Sequence, residues 1–224
     1  MMQEPHTLGG RAKGKISGLD SQHCIYKTND EECRAAIYAH KDIPIWMNHE
    51  LSDKDVASCL WVTRDNSLNR VLVISCYWDR FLLSPPQKLT KAIEFAQANN
   101  FKILLGMDSN ARSVLTGSTY TDSRGILLEN LILKYNLDVV NKGNRDTFES
   151  HVGKSCIDVT LASPSLATSV KEWHVDTTDN HSDHHTIVFK IDATDPPMEL
   201  KRDFSKLDPA VFSAKLEERM DAWI

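Results

Sequence analysis

The 224-residue sequence predicts an α/β fold, and three stretches carry that prediction. Residues 71–76, Val-Leu-Val-Ile-Ser-Cys, are almost continuously apolar, as a central strand buried on both faces requires. Leu89, Ile93 and Ala96 follow at spacings of four and three, which is one stripe of a helix. A second short apolar run, residues 103–105, comes next and completes a strand, helix, strand progression.

From the start of the chain, Met1-Met2-Gln3-Glu4-Pro5-His6 reads as the tail of a strand entering a loop, with no earlier strand to pair with. Residues 9–18 form a glycine-rich basic loop with Arg11, Lys13 and Lys15. Glycine lets backbone approach a ligand closely and the charges suit a phosphate backbone, although a plain solvated loop has the same composition. Residues 34–39 read as a strand. Residues 55–63 and 70–77 read as a hairpin across the turn-rich segment 64–69. Tyr77 closes the second strand, where a ring packs while its hydroxyl stays wet. Ser84 is the expected N-cap of the first helix, with Pro85 and Pro86 in its first turn and Asn99-Asn100 stopping it.

A polar loop with Arg112 then leads to a second helix, residues 124–135, that starts at Arg124 and buries Leu127, Leu128, Leu131, Ile132 and Tyr135. Strands are expected at 137–140, 146–150, 155–162 and 186–191. After residue 191 the composition changes to a charged, Pro-containing linker at 192–207. Asp208 and Pro209 then open a helix over 208–224, with Phe212, Leu216, Met220 and Trp223 on one face. The expected organisation is one domain over 1–191, this linker, and a helix leading toward a downstream domain.

Three sites carry chemistry. Asp108 and Asn110 end the strand at 103–105 and, in extended backbone, point the same way, with Ser109 opposed. A carboxylate can bind a cation or a water and an amide can donate to an anionic oxygen, as metal-assisted phosphate chemistry needs. An Asx-rich turn is the plainer reading of the same residues. Asp158 lies in Ile-Asp-Val-Thr-Leu, with Thr160 on its face and Ile157, Val159 and Leu161 on the other. An acid inside a half-buried strand needs a partner. Asn180-His-Ser-Asp-His-His185 supplies Asp183 to bind or orient a divalent cation and a histidine suited to proton transfer or phosphate contact near neutral pH. Zinc held by His181, His184 and His185 is the alternative, disfavoured because adjacent residues of an extended chain diverge.

Composition narrows the classes. A net charge of −5 excludes nucleic-acid binding by bulk electrostatics, so a nuclease of this composition must use local basic patches and a metal. Five cysteines without a Cys-x-x-Cys fit a reducing compartment and no zinc ribbon. No apolar run reaches membrane-spanning length, so no membrane partner is expected, and no secretory signal pattern is present.

Gln3-Glu4-Pro5, Tyr77, Gly-Met-Asp108-Ser-Asn110, Ser155-Cys-Ile-Asp158 and Ser182-Asp183-His184 occur in a fixed order. Arg-Ala-Ala-Ile, Ser-Cys-Tyr-Trp-Asp, Ser-Arg-Gly and Thr-Phe-Glu-Ser lie between them. Over about residues 2–191 this resembles the endonuclease/exonuclease/phosphatase superfamily, and within it the apurinic-endonuclease-like domain of non-LTR retrotransposons. The resemblance implies a four-layer α/β/β/α sandwich with two mixed sheets flanked by helices, and a Mg²⁺- or Mn²⁺-dependent endonuclease that nicks DNA in the nucleus, upstream of a reverse-transcriptase domain.

By residue, the resemblance implies that Glu4 and Asp183 hold the metal and Asp108 activates the attacking water. Asn110, Tyr77 and His184 would contact the scissile phosphate, with Asp158 orienting His184. Arg11, Lys13, Lys15, Arg112 and Arg124 are the candidate DNA contacts. Family members begin with a further strand ending in an Asn beside the Glu. The expectation is therefore an N-terminally truncated domain, with an inactive remnant or a phosphatase of the same superfamily as alternatives.

Overall fold

The computed structural model describes residues 1–3, 22–30, 32–62, 70–151, 153–178 and 180–192. Its strands are β1 (Met2–Gln3), β2 (His23–Tyr26), β3 (Ala35–His40), β4 (Ile45–Met47), β5 (Val56–Val62), β6 (Arg70–Tyr77) and β7 (Lys102–Asp108). They continue with β8 (Asp138–Val139), β9 (Phe148–Ser150), β10 (Gly153–Ser155), β11 (Asp158–Ala162), β12 (Val170–Asp176) and β13 (Thr186–Ile191). The helices are α1 (Gln87–Ala98), α2 (Ser123–Lys134) and the single turn α3 (Pro164–Ala167).

Six strands form the central sheet in the order β4-β5-β6-β7-β11-β8. The pair β6–β7 is parallel and its neighbours are antiparallel, so this sheet is mixed. The apolar run in β6 explains its central place. Leu72, Ile74 and Cys76 join one core with Leu89 and Ile93 of α1 and Leu128, Leu131 and Ile132 of α2. Val71 and Val73 face the opposite way, into a second core with Ala35 and Ile37 of β3 and Val170, Trp173 and Val175 of β12. Alternate residues of one strand thus feed two cores.

The second layer consists of β1-β3-β2 and β12-β13, both wholly antiparallel. Two mixed sheets were expected; among the described residues one is found. The helices α1 and α2 pack on one face of the mixed sheet, while Leu166 of the single-turn α3 joins the core on its other face, so among the described residues the layers are helices, mixed sheet and antiparallel strands, not four complete layers.

Local departures have local causes. Pro86, not Ser84, is the N-cap of α1, with no side-chain cap bond. Asn100, at φ 55°, takes the left-handed conformation after α1, which Asn tolerates. In α2 the N-cap is Asp122, whose side chain accepts from Gly125 N, and Leu127 is exposed while Leu128, Leu131, Ile132 and Tyr135 are buried. The strand expected over 155–162 is two, β10 and β11. All of β11 is buried, because Thr160 accepts a bond from Trp173 Nε1 at 3.1 Å beneath the second layer. The loop at 9–18, the hairpin turn at 64–69 and the terminal helix at 208–224 lie outside the described residues.

Candidate active site

Strand register places three of the expected residues in one row. Tyr77 of β6 pairs with Asp108 of β7, and Asp108 pairs with Asp158 of β11. Alternation puts all three on the face toward the second layer, since Cys76, Met107 and Val159 next to them fill the helix-side core. Two residues back along β6 and β7, Gln3 Nε2 of β1 donates to Ser75 Oγ at 3.0 Å and Gly106 O at 3.2 Å. The row therefore sits between the layers, at the carboxyl ends of the parallel strands, where ligand sites of α/β sheets form.

His184 reaches this row from the loop before β13. Asn180 Nδ2 donates to His184 O at 2.8 Å, and His184 N donates to Ser182 Oγ at 3.1 Å, so the loop braces the residue it presents. The imidazole packs edge-on against Phe148, ring centroids 4.9 Å apart. Its Nδ1 lies 3.0 Å from both Asp158 carboxylate oxygens. Its Nε2 lies 3.8 Å from Asp108 Oδ2. A proton on Nδ1 is thus held by Asp158, and the other ring nitrogen is aimed at Asp108.

Asp158 is itself oriented. The hydroxyl of Thr147, fully buried, donates to Asp158 Oδ2 at 2.7 Å and accepts from Ile157 N at 3.1 Å and Asp158 N at 3.0 Å. Thr147 opens the Thr-Phe-Glu-Ser run, but the residues alone give it no role, because its partners lie eight to eleven positions away.

Asn110 combines both sequence readings. The chain leaves β7 after Asp108, and Asn110, at φ 46°, donates its N–H to Asp108 Oδ1 at 3.1 Å, an Asx turn. One amide hydrogen goes to Trp78 O at 3.2 Å, and an amide carries two. Ser109 turns the other way, its hydroxyl on Ile157 O at 2.6 Å. Tyr77 is covered by Arg34, whose guanidinium lies 4.6 Å from the ring centroid. Arg34 in turn is held by Asp55 at 2.6 Å and Asp79 at 2.5 Å, and these bonds raise its guanidinium above its ordinary value. The Arg-Ala-Ala-Ile run carried this residue, but its contact with Tyr77 is long-range and was not legible.

Other candidates fall differently. Asp183 is exposed, and its main-chain oxygen accepts from Glu149 N at 2.8 Å. Arg112 lines a polar recess of about 280 Å³ with Ser118, Asp146 and Lys154, and donates to Tyr120 Oη at 3.0 Å. Arg124 donates to five main-chain oxygens, of Asn110, Ser109, Trp78, Leu82 and Arg80, and lies 4.3 Å over the Trp78 ring. Its donors are committed to the protein, and burial pulls its guanidinium below its ordinary value. Glu4, Arg11, Lys13 and Lys15 lie outside the described residues.

Asp108, Asp158 and His184 each offer one ligand atom, all within 4.8 Å of one another. Both carboxylates are buried, at 2% and 8% exposure. Two hard oxygens and one imidazole form a donor set that suits a divalent cation such as Mg²⁺ or Mn²⁺. His185 diverges toward Glu149 at 3.6 Å, and among the described residues the three histidines do not converge on one point.

No curated protein sequence matches the chain significantly. Among solved structures, it is similar to the endonuclease domain of TRAS1, a telomere-specific non-LTR retrotransposon. The TM-score is 0.68 at 22% identity, covering 79% of this chain and 83% of that one. It is also similar to the AP endonuclease LMAP from Leishmania major, with a TM-score of 0.59 at 12% identity, covering 75% of this chain and 70% of that one. At these identities the two likenesses show the fold alone; with the family match that follows, it is the fold of the endonuclease/exonuclease/phosphatase superfamily. Residues 71–188, which span β6 to β13 and every member of the Asp108–Asp158–His184 cluster, match the endonuclease-reverse transcriptase family model. The chain belongs to that family.

Proposed function

We propose that this domain is a metal-dependent DNA endonuclease, which hydrolyses one phosphodiester of target DNA and leaves a 3′-OH to prime reverse transcription. The observation that carries the reading is His184 suspended between two buried carboxylates, Asp158 at 3.0 Å and Asp108 at 3.8 Å. That geometry separates roles. Asp158 holds Nδ1 and fixes the ring, so that Nε2 is presented to a non-bridging phosphate oxygen. Asp108 holds and deprotonates the attacking water. Tyr77, paired with Asp108 across β6 and β7, and Asn110, in the turn after it, would donate to the same phosphate. Mg²⁺ or Mn²⁺, for which Glu4 and Asp183 are the proposed ligands, would stabilise charge on the phosphate oxygens.

Family membership and the likeness to a retrotransposon endonuclease domain support DNA as substrate and a reverse transcriptase as the partner; action in the nucleus is part of the same proposal. Incubation with supercoiled plasmid and Mg²⁺ tests the reading. The expected result is nicked circles that a DNA polymerase extends directly, abolished by EDTA. Phosphate release from an inositol polyphosphate without nicking, or nicks that need end repair before extension, would overturn it.

A further inference from the structure

Strand register places the backbone of Tyr77 but leaves its side chain to be oriented by other contacts. Its main-chain N–H donates to Asp55 O at 2.8 Å. The ring projects toward the second layer, where the guanidinium carbon of Arg34 lies 4.6 Å from the ring centroid. Arg34 stands immediately before β3, and its main-chain N–H donates to Lys54 O at 2.6 Å. Its side chain is fixed on two sides, Nε donating to Asp55 Oδ1 at 2.6 Å and Nη1 to Asp79 Oδ2 at 2.5 Å. A guanidinium held along its edges by carboxylates keeps its flat face for stacking on an aromatic ring. Asp55, only 7% exposed, thus braces both partners, Tyr77 through its main-chain oxygen and Arg34 through its carboxylate. Asp79 is held in turn by Phe81 N, 2.9 Å from its other oxygen.

We propose that Arg34 is a positioning residue for phosphodiester cleavage: it clamps the Tyr77 ring so that the hydroxyl meets the phosphate bound beside Asp108. Without the clamp the side chain is free to turn about its Cα–Cβ bond into other staggered positions, and the hydroxyl leaves the phosphate. Two carboxylates offset the charge of the one guanidinium, so its effect on Tyr77 is orientation, and an anion is not drawn to Arg34 itself. This inference rests on the endonuclease reading above.

The test measures kcat and KM for plasmid nicking with Mg²⁺, and the thermal midpoint, in the parent, Arg34→Ala, Tyr77→Phe, Arg34→Ala/Tyr77→Phe and Arg34→Ala/Asp55→Asn. Tyr77→Phe should lower kcat about a hundredfold, the loss of one transition-state donor. Arg34→Ala should lower kcat about tenfold with KM within about twofold of the parent's, because an unclamped hydroxyl is in place only part of the time. In the Tyr77→Phe background the same change should cost nothing more, since there is no hydroxyl left to place. Arg34→Ala also leaves Asp55 buried without its cation and should lower the thermal midpoint. Adding Asp55→Asn removes that charge and should restore the midpoint, while kcat stays about tenfold down. A loss that persists in full without the Tyr77 hydroxyl, a kcat that returns with the midpoint, or a raised KM at parental kcat would overturn the clamp and leave the endonuclease standing. A parent that does not nick would overturn the endonuclease reading and the clamp with it.

Discussion

Thr147→Val removes one oxygen from the site while keeping its shape. In the parent that oxygen serves three partners: it donates to Asp158 Oδ2 at 2.7 Å and accepts from the N–H groups of Ile157 and Asp158. A bond to a carboxylate contributes about 1.5–3 kcal/mol, and each buried N–H left without an acceptor costs about 1–3 kcal/mol. Some relaxation follows, so the expected loss is about 3–5 kcal/mol, a large share of the roughly 5–15 kcal/mol that holds a domain folded. Urea unfolding should show a lower midpoint at unchanged slope. Nicking should lose kcat with KM little changed, because Asp158 no longer holds His184. Thr147→Ser keeps the hydroxyl and loses a methyl, about 1 kcal/mol. If the valine variant unfolds within about 0.5 kcal/mol of the parent, or if serine is as harmful as valine, the hydroxyl does not anchor the site.

Gly125→Ala should destabilise, although alanine normally favours a helix by about 1 kcal/mol. A Cβ at Gly125 would stand 1.9 Å from Arg112 O, so the Arg112 loop must move; a thermal midpoint at or above the parent's would refute this. In native protein, maleimide should label exposed Cys24 and spare Cys59, Cys76 and Cys156, because burial pushes the Cys59 thiol up to about 12, Cys156 to about 11 and Cys76 well up; rapid labelling of Cys76 would count against the central core. Asp79 is held below its ordinary value of 3.8 by the Phe81 N–H and by Arg34. A lowered folded value stabilises above the unfolded one and is lost as pH falls through the folded one. Stability of the parent should therefore fall more steeply below about pH 4 than that of Asp79→Asn. Superimposable pH curves would refute the pairing.

How much of this was legible follows from where the signal resides. The central strand β6 was readable because burial on both faces leaves an almost continuous apolar run, and Asp158 because an acid in a half-buried strand needs a partner. That partner, His184, was readable as chemistry but not as a distance. The strand β12 was missed for a physical reason: its register shifts between Lys171 and His174, with Glu172 at φ 54°, so a bulge breaks the alternation that would have marked it. Arg124 was a candidate DNA contact through its place, with Arg112, in the polar stretch before the second helix. Its commitment to five carbonyls depends on three loops meeting, which no local pattern encodes. Thr147 is ordinary in sequence and central in space for the same reason.

The account depends on Asp158 and His184 acting as one unit. Mg²⁺-dependent plasmid nicking by Asp158→Asn, His184→Ala and the double variant, with folding checked by circular dichroism, measures this most directly. Each single change should lower kcat by about a hundredfold or more, and the double should be no slower than the slower single. Parental nicking by His184→Ala, or losses that multiply in the double variant, would contradict it.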